Sequence, residues 1–419
     1  MTSRIAASLS RLERLGPSTI ALGLGRMERA LAALGHPEQR LRRVLHVAGT
    51  NGKGSTCAFA SSMLSAMGMR VGLYTSPHLV HFNERLRIDG VPISDARLAE
   101  RIEEVAARLP SAFDGPEALT YFEMATLLAF WHFEREGLDA VVLETGLGGR
   151  LDATRACIPS VTAITPIALD HREYLGDSLG SVAAEKAGII RPGVPLIVGA
   201  QPPPALEVLR REAAALGAPW IEASPGGGAA VDPVLVDATL GLAGPHQREN
   251  AAVAVAAVRA LTRDLGDLDE AQLRAGLRDT RWPGRFERVE GAPLLILDGA
   301  HNPAGAQSLA AALEAEVPDR PRQLVFGALA DKDAVQMLRV LLPHVERVFL
   351  VAPDSPRALS PARLLQQLPP QLARSDPERL RVTAGLAEAL SAAREAAGPE
   401  GVVVVAGSLV LVGSVGRQE

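Results

Sequence analysis

The sequence predicts an α/β protein of two parallel-sheet domains, the larger one first. Short, continuously apolar runs recur along the chain, as strands covered on both faces do. Helix-like segments separate them, the alternation that builds a parallel sheet. A polar stretch carrying Pro283 and Gly284 divides the runs into two series. At about 150 residues per domain, 419 residues fit two or three domains.

The first series begins with VLHVAGT (44–50), which enters a glycine turn and then a small-residue helix, SSMLSAMG. VGLYTS (71–76), AVVLETG (140–146), VTAITPI (161–167) and VPLIVGA (194–200) read as further buried strands. Residues 226–244 read as turns with hairpin strands, and an amphipathic helical section follows from Asn250 to about Thr280. The boundary falls in TRWPGRFERVEG, giving domains 1–283 and 284–419. Beyond it, LLILDGA, QLVFGAL, RVFLVAP and VVVVAGS alternate with alanine-rich segments, a second, smaller and Rossmann-like α/β domain.

Composition excludes several classes of function. Apolar residues make up 47% and charged residues 22%, an ordinary globular balance. A net charge of −5 gives no basic field for nucleic acid or an anionic membrane, so any phosphate must be held locally. Cys57 and Cys157 form neither a metal pattern nor a disulfide framework, which fits a reducing cytoplasm. The N-terminus has arginines throughout and no apolar signal core. Val402 to Val415 is uncharged but too short to span a bilayer. The chain is therefore expected in the cytoplasm; a monomer is also expected.

Of the 43 lysines and arginines only Lys53, Lys186 and Lys332 are lysines. Where arginine serves almost everywhere, a retained lysine marks a place needing a compact or deprotonatable amine. Lys53 lies in Gly49-Thr50-Asn51-Gly52-Lys53-Gly54-Ser55, between a strand and a helix. Glycines admit phosphate oxygens close to the backbone, the helix N-terminus adds partial positive charge, and Lys53 would neutralise the β- and γ-phosphates. This defines the first domain as a P-loop ATPase type. Gly54 stands where the usual motif has the Mg²⁺-binding Ser or Thr, so the metal needs another ligand. GLGGRL (146–151) has Leu151 in place of a third glycine, which argues against a dinucleotide dehydrogenase.

GTNGKGS resembles the Mur ligase superfamily. GLGRMERALAALGHPE, SPHLVHFNERLRIDG, TYFEMATLLAF, ETGLGGRLDAT, ALDHREYLG, AAEKAGII, HQRENAAVA, RWPGRFE, LDGAHNPAG and ADKD follow in order, and together resemble folylpolyglutamate synthase and dihydrofolate synthase. The resemblance implies an ATP-dependent ligase that joins L-glutamate to a folate or dihydropteroate carboxylate through an acyl phosphate. It implies ATP, two Mg²⁺ ions, and Ser76, Glu144 and His171 as metal ligands. Lys186 is implied to be carbamylated, an anionic ligand that only a lysine can become. Read alone, Glu144 is rather a strand-end acid capping a turn, and His171 a loop histidine bonded to Asp170. Lys186 is equally a surface partner of Glu185.

The resemblance places Asn250, Arg285, Asp298 and His301 at the nucleotide, with Arg285 near the γ-phosphate. Asp298 and Arg285 read alone are a plain turn and a linker arginine. Lys332 either neutralises phosphate charge or pairs with Asp331 or Asp333. Phe82, Arg87 and Phe122 are implied near the pterin, the two rings as stacking surfaces, and Ser408 near glutamate. LDATR carries Arg155 where the family commonly has asparagine, so no role passes to Arg155. Two alternatives stay open: a Mur-type ligase of cell-wall precursors, and a P-loop NTPase without ligase activity. The 48 residues ahead of Gly49 are too few for the former's UDP-binding domain.

Overall fold

A computed structural model of the chain describes residues 2–16, 21–115, 117–223, 232–369 and 379–415. Each of the two series of apolar runs becomes one sheet. In the first, β1 (Val44–Ala48), β2 (Val71–Tyr74), β5 (Ala140–Glu144), β6 (Val161–Ile164) and β7 (Leu196–Val198) are the strands read from sequence. Every residue of these five is buried, which is why they are continuously apolar. β3 (Leu86–Ile88), β4 (Val91–Pro92) and β8 (Trp220–Glu222) add to them. The order is β4-β3-β2-β5-β1-β6-β7-β8. All pairings are parallel except the β2–β3 and β3–β4 pairs. The β3–β4 hairpin turns at Asp89-Gly90, both at positive φ (49° and 79°), the Asp-Gly chemistry of a tight hairpin.

Helices cover the sheet. Lys53–Ala66 is buried over most of its length. It packs on Glu270–Asp279, where Gly276 lies against the Met63 backbone and Ser62 donates to the Gly276 carbonyl at 2.7 Å. Tyr121–Glu136 starts at a capping box between Thr120 and Glu123 and is buried from Met124 through Phe133. The expected helical section becomes His246–Leu261 and Glu270–Asp279, with a 3-10 turn, Arg263–Leu265, between them.

One expectation fails. Of 226–244, residues 226–231 lie outside the described residues, and 232–244 form no strand. Asp232 caps a 3-10 turn, Pro233–Leu235, accepting from Val234 N at 3.0 Å, while Arg259 grips the same carboxylate. Val234 and Leu235 are apolar because that turn is buried, not because they alternate in a strand.

The second sheet comprises β9 (Glu287–Val289), β10 (Leu294–Leu297), β11 (Arg322–Phe326), β12 (Arg347–Leu350), β13 (Leu380–Val382) and β14 (Val402–Ala406), in the order β13-β12-β11-β14-β10-β9. Only β9 runs antiparallel to its neighbour. By internal contacts one unit comprises 1–239 with 249–280, and the other 240–248 with 281–419. No helix among the described residues is long and apolar enough to cross a membrane.

Candidate active site

β2, β5, β1 and β6 run parallel, so the segments that follow them leave the same edge of the larger sheet. β5 and β6 lie on opposite sides of β1, and ligands of open α/β sheets bind where the order switches in this way.

The loop after β1 has a fixed shape. Gly49 and Gly52 have φ of 151° and 83°. A Cβ on Gly49 would overlap the Thr165 hydroxyl, and one on Gly52 would overlap Asn250 Oδ1. Thr50 N and Asn51 N donate to the Pro166 carbonyl at 3.0 and 3.3 Å. Thr50 Oγ1 donates to the Ala168 carbonyl at 2.9 Å, and Thr165 Oγ1 to that of Asn51 at 2.7 Å. The loop amides of Thr50 and Asn51 thus already have acceptors. The amides of Lys53, Gly54 and Ser55 precede the first helical bond, Thr56 N to Gly52 O, and so have no acceptor within the helix.

Charged side chains gather beside this loop. Lys53 Nζ donates to the Thr50 carbonyl at 3.1 Å and stands 4.0 Å from Glu144 Oε1. Glu144, 6% exposed, ends β5 and accepts from Ser76 N at 3.2 Å through its other oxygen. Lys186 lies on the helix Leu179–Ala187, capped by Ser178. It is only 4% exposed, and its Nζ donates to the Gly49 carbonyl at 2.6 Å. Burial first, then the charge of Lys53, pulls its pKa down from 10.5 to about 7, although Asp170 and Asp152 oppose the shift. The surface pairing with Glu185 does not form; Glu185 takes Arg150 instead, with Nε at 3.1 Å.

His171 sits in the left-handed region (φ 49°) and opens the short helix Arg172–Leu175. Its amide donates to Asp170 Oδ1 at 2.8 Å, while its Nε2 stays 4.0 Å from that oxygen. Asn250 is buried, and its carbonyl lies 3.4 Å from Thr56 Oγ1.

Sequence reasoning missed Asp152. Its buried carboxylate accepts from Gly146 N and Leu147 N, both at 2.9 Å, and from Thr154 N at 3.0 Å. It pins the loop after Glu144. The signal was the Asp-Ala-Thr spacing, an Asx cap two residues ahead of the amide it binds.

The aromatic residues divide. Phe82 packs edge-on to Tyr121, centroids 5.7 Å apart. Phe122 lies 6.3 Å from Tyr74, its ring against Gly146. Arg87 donates to the carbonyls of Glu84 and Gly90 in its own hairpin, at 3.1 and 3.2 Å.

In the second unit Asp298 follows β10. Its oxygens accept from Phe286 N at 2.9 Å and Ala300 N at 2.8 Å. Arg285 donates to the Gly284 carbonyl at 3.0 Å and lies against Gly299. His301 Nδ1 is 2.8 Å from the Gly299 carbonyl and donates to it. Ser408, buried, takes Val410 N at 3.1 Å and so begins the helix Leu409–Val415. Lys332 stands 3.9 Å from Asp331, whose other oxygen binds Arg357 at 2.7 Å.

Among the described residues no group of three or more His, Cys, Asp and Glu side chains could hold an ion. A cation here would need Ser76 and a modified Lys186 beside Glu144 and His171. The donor chemistry fits: Glu144 and Ser76 carry hard oxygens, their segments are joined where the Ser76 amide donates to Glu144 at 3.2 Å, and a buried amine with a lowered pKa can take up CO₂.

A parallel sheet with a lysine-bearing phosphate loop, followed by a second α/β unit, fits the architecture expected of the Mur ligase superfamily. Residues 284–409 match the family described as Mur ligase, glutamate ligase domain. The dihydrofolate synthase/folylpolyglutamate synthase of Bacillus subtilis is 39% identical, across 80% of this chain and 82% of its own. That of Mycobacterium tuberculosis is 35% identical, across 97% and 93%. The structure of Mycobacterium tuberculosis folylpolyglutamate synthase complexed with ADP superposes with a TM-score of 0.88, at 33% identity over 99% of this chain and 98% of that one. E. coli FolC in complex with DHPP and ADP gives 0.84, at 35% identity over 99% and 97%. The chain belongs to the folylpolyglutamate synthase/dihydrofolate synthase family.

Proposed function

We propose that this chain is an ATP-dependent ligase joining L-glutamate to the carboxylate of a folate or dihydropteroate. The observation that carries the reading is Lys186: a buried amine with a pKa of about 7, 2.6 Å from the Gly49 carbonyl of the phosphate loop. Its neutral form attacks CO₂, forming an N–C bond and releasing a proton, and leaves a carbamate that bears the negative charge arginine cannot supply.

Lys53 and the amides of residues 53–55 hold the ATP phosphates. Mg²⁺, held by Ser76, Glu144, His171 and the Lys186 carbamate, would supply charge neutralisation at the transferring phosphoryl group. The substrate carboxylate attacks the γ-phosphorus and ADP departs. The glutamate amine then attacks the acyl carbon, and phosphate leaves with one former carboxylate oxygen. Asn250, Arg285, Asp298 and His301 serve the nucleotide, Arg285 as the cation assigned to phosphate charge. Phe82 and Phe122 offer ring faces for a pterin, with Arg87 near it, and Ser408 lies toward glutamate.

Mass spectrometry of products tests the reading. With ATP and L-glutamate, the protein is expected to add glutamate to dihydropteroate, to a reduced folate monoglutamate, or to both. If neither gains the mass of a glutamyl residue, the reading fails.

A further inference from the structure

The larger unit carries a half-open cavity of about 310 Å³ away from the phosphate loop. The segments that wall it lead into strands rather than out of them. His36–Gln39 precedes β1, Arg155–Cys157 precedes β6, and Arg191 precedes β7. The cavity therefore lies toward the amino edge of the sheet, whereas Gly49, Ser76 and Glu144 stand at the carboxyl edge.

Two guanidinium groups share one wall. Arg155 Nε donates to the Gly188 carbonyl at 2.9 Å, and Arg191 Nη1 reaches the same oxygen at 3.5 Å. Arg191 also donates to the Arg155 carbonyl. A shared acceptor keeps the two charges within a few ångströms. Neither forms an ion pair with a carboxylate among the described residues. Burial, then the charge of Arg155, lowers the pKa of Arg191. After its own burial, the same two charges help hold His46 neutral, with a pKa of about 3. Two neighbouring guanidiniums favour an anion between them, and the carboxylates of Glu28 and Glu38, which also line the cavity, form no ion pair with either among the described residues.

The cavity also holds an unmet acceptor. Glu38, 4% exposed, takes His36 Nδ1 at 3.0 Å on Oε1, while its buried Oε2 has no hydrogen-bond partner. A buried carboxylate oxygen left bare is costly and invites a donor. Leu24, Met27 and Leu31 give the cavity an apolar side. Its volume is at the small end for ligand pockets.

We propose that this cavity binds a small zwitterion, with its carboxylate or phosphate on Arg155 and Arg191, its ammonium toward Glu38, and a short aliphatic body along Leu24, Met27 and Leu31. An apolar amino acid and a phosphorylated amine share this chemistry. The arginine at 155, which departs from the family pattern, is then a binding residue of this chain's own.

Isothermal titration of the full chain without nucleotide tests it. The probes are L-norleucine and phosphoethanolamine, with hexanoate and ethyl phosphate as anions lacking the amine. Binding is expected for at least one zwitterion in the millimolar range or tighter, weakened about tenfold or more without the amine. Which zwitterion binds distinguishes the two sources. Ala156→Phe fills the cavity and is expected to abolish binding while leaving glutamate-dependent ADP release intact. Glu38→Gln is expected to weaken the zwitterion and not the simple anion. Shifts of the Met27 and Leu31 methyl resonances locate the ligand in the unaltered protein, so the test survives a variant that misfolds. Binding of neither zwitterion, equal binding of the amine-free anions, or undiminished binding to folded Ala156→Phe each overturns the proposal.

Discussion

Lys186 carries an amine into surroundings where its charge is poorly tolerated, and both chemistry and stability should register this. Lysine can lose its proton there and arginine cannot. Lys186→Arg is expected to lower glutamate-dependent ADP release by about 100-fold or more, as loss of metal-site residues does, with nucleotide binding retained. A near-normal rate would remove the carbamate from the mechanism. The stability effect has a definite sign. The folded-state pKa of about 7 lies below the unfolded value of 10.5. Between them the unfolded chain binds the proton and the native chain does not, so this residue's contribution rises with pH across that window. Below about pH 7 both states are protonated, and the full cost of a buried charge remains. In CO₂-free buffer, the melting temperature of the wild type should therefore gain on that of Lys186→Met between pH 7 and pH 9. Parallel curves would show that the amine is not desolvated in solution.

Elements place these side chains, and the turns between elements hold them. Asp152 fastens the loop after β5 through three backbone amides and accepts the Thr154 hydroxyl at 2.5 Å. Thr154 Oγ1 is in turn 2.8 Å from His46 Nε2 on β1. Asp152→Asn would turn an amide donor toward groups that themselves donate. A loss of about 1–3 kcal/mol is expected, read as a lower denaturant midpoint at unchanged slope. Gly52→Ala meets both an unfavourable φ and Asn250 Oδ1, so it should weaken ADP binding more than it lowers stability; equal ADP affinity would mean the loop yields. These elements were unequally legible in the sequence. β1, β2, β5, β6 and β7 could be read because burial on both faces demands unbroken apolar runs. β4 and β8 could not, being short and partly or fully exposed. Residues 232–244 misled because a buried 3-10 turn needs the same apolar residues as a strand. The surroundings of Lys186 were hidden as well. Glu185 beside it looks like a surface partner, and only a contact with Gly49, 137 residues away, decides otherwise.

At the scale of the whole molecule, the residues proposed for the ligase reaction fall in both units. The first unit brings Lys53, Glu144, Ser76 and Lys186 to one sheet edge. The second holds Arg285, Asp298 and His301 together on the loops around β10. With a net charge of −5 the chain has no general attraction for phosphates, so its few buried cations must act locally. A phosphate loop alone is equally suited to hydrolysis, and the fate of one oxygen atom separates the two reactions. If the substrate carboxylate attacks ATP, the bridging oxygen of the acyl phosphate is a carboxylate oxygen. When the glutamate amine displaces phosphate, that oxygen leaves with it. Dihydropteroate or folate labelled with ¹⁸O in the reacting carboxylate should therefore yield inorganic phosphate carrying one ¹⁸O per peptide bond formed, with ADP unlabelled. Hydrolysis without ligation would draw its oxygen from water and release unlabelled phosphate at a rate indifferent to glutamate. Phosphorus NMR resolves the isotope shift, and omitting glutamate should nearly stop the release of labelled phosphate, because the acyl phosphate then has no amine to meet.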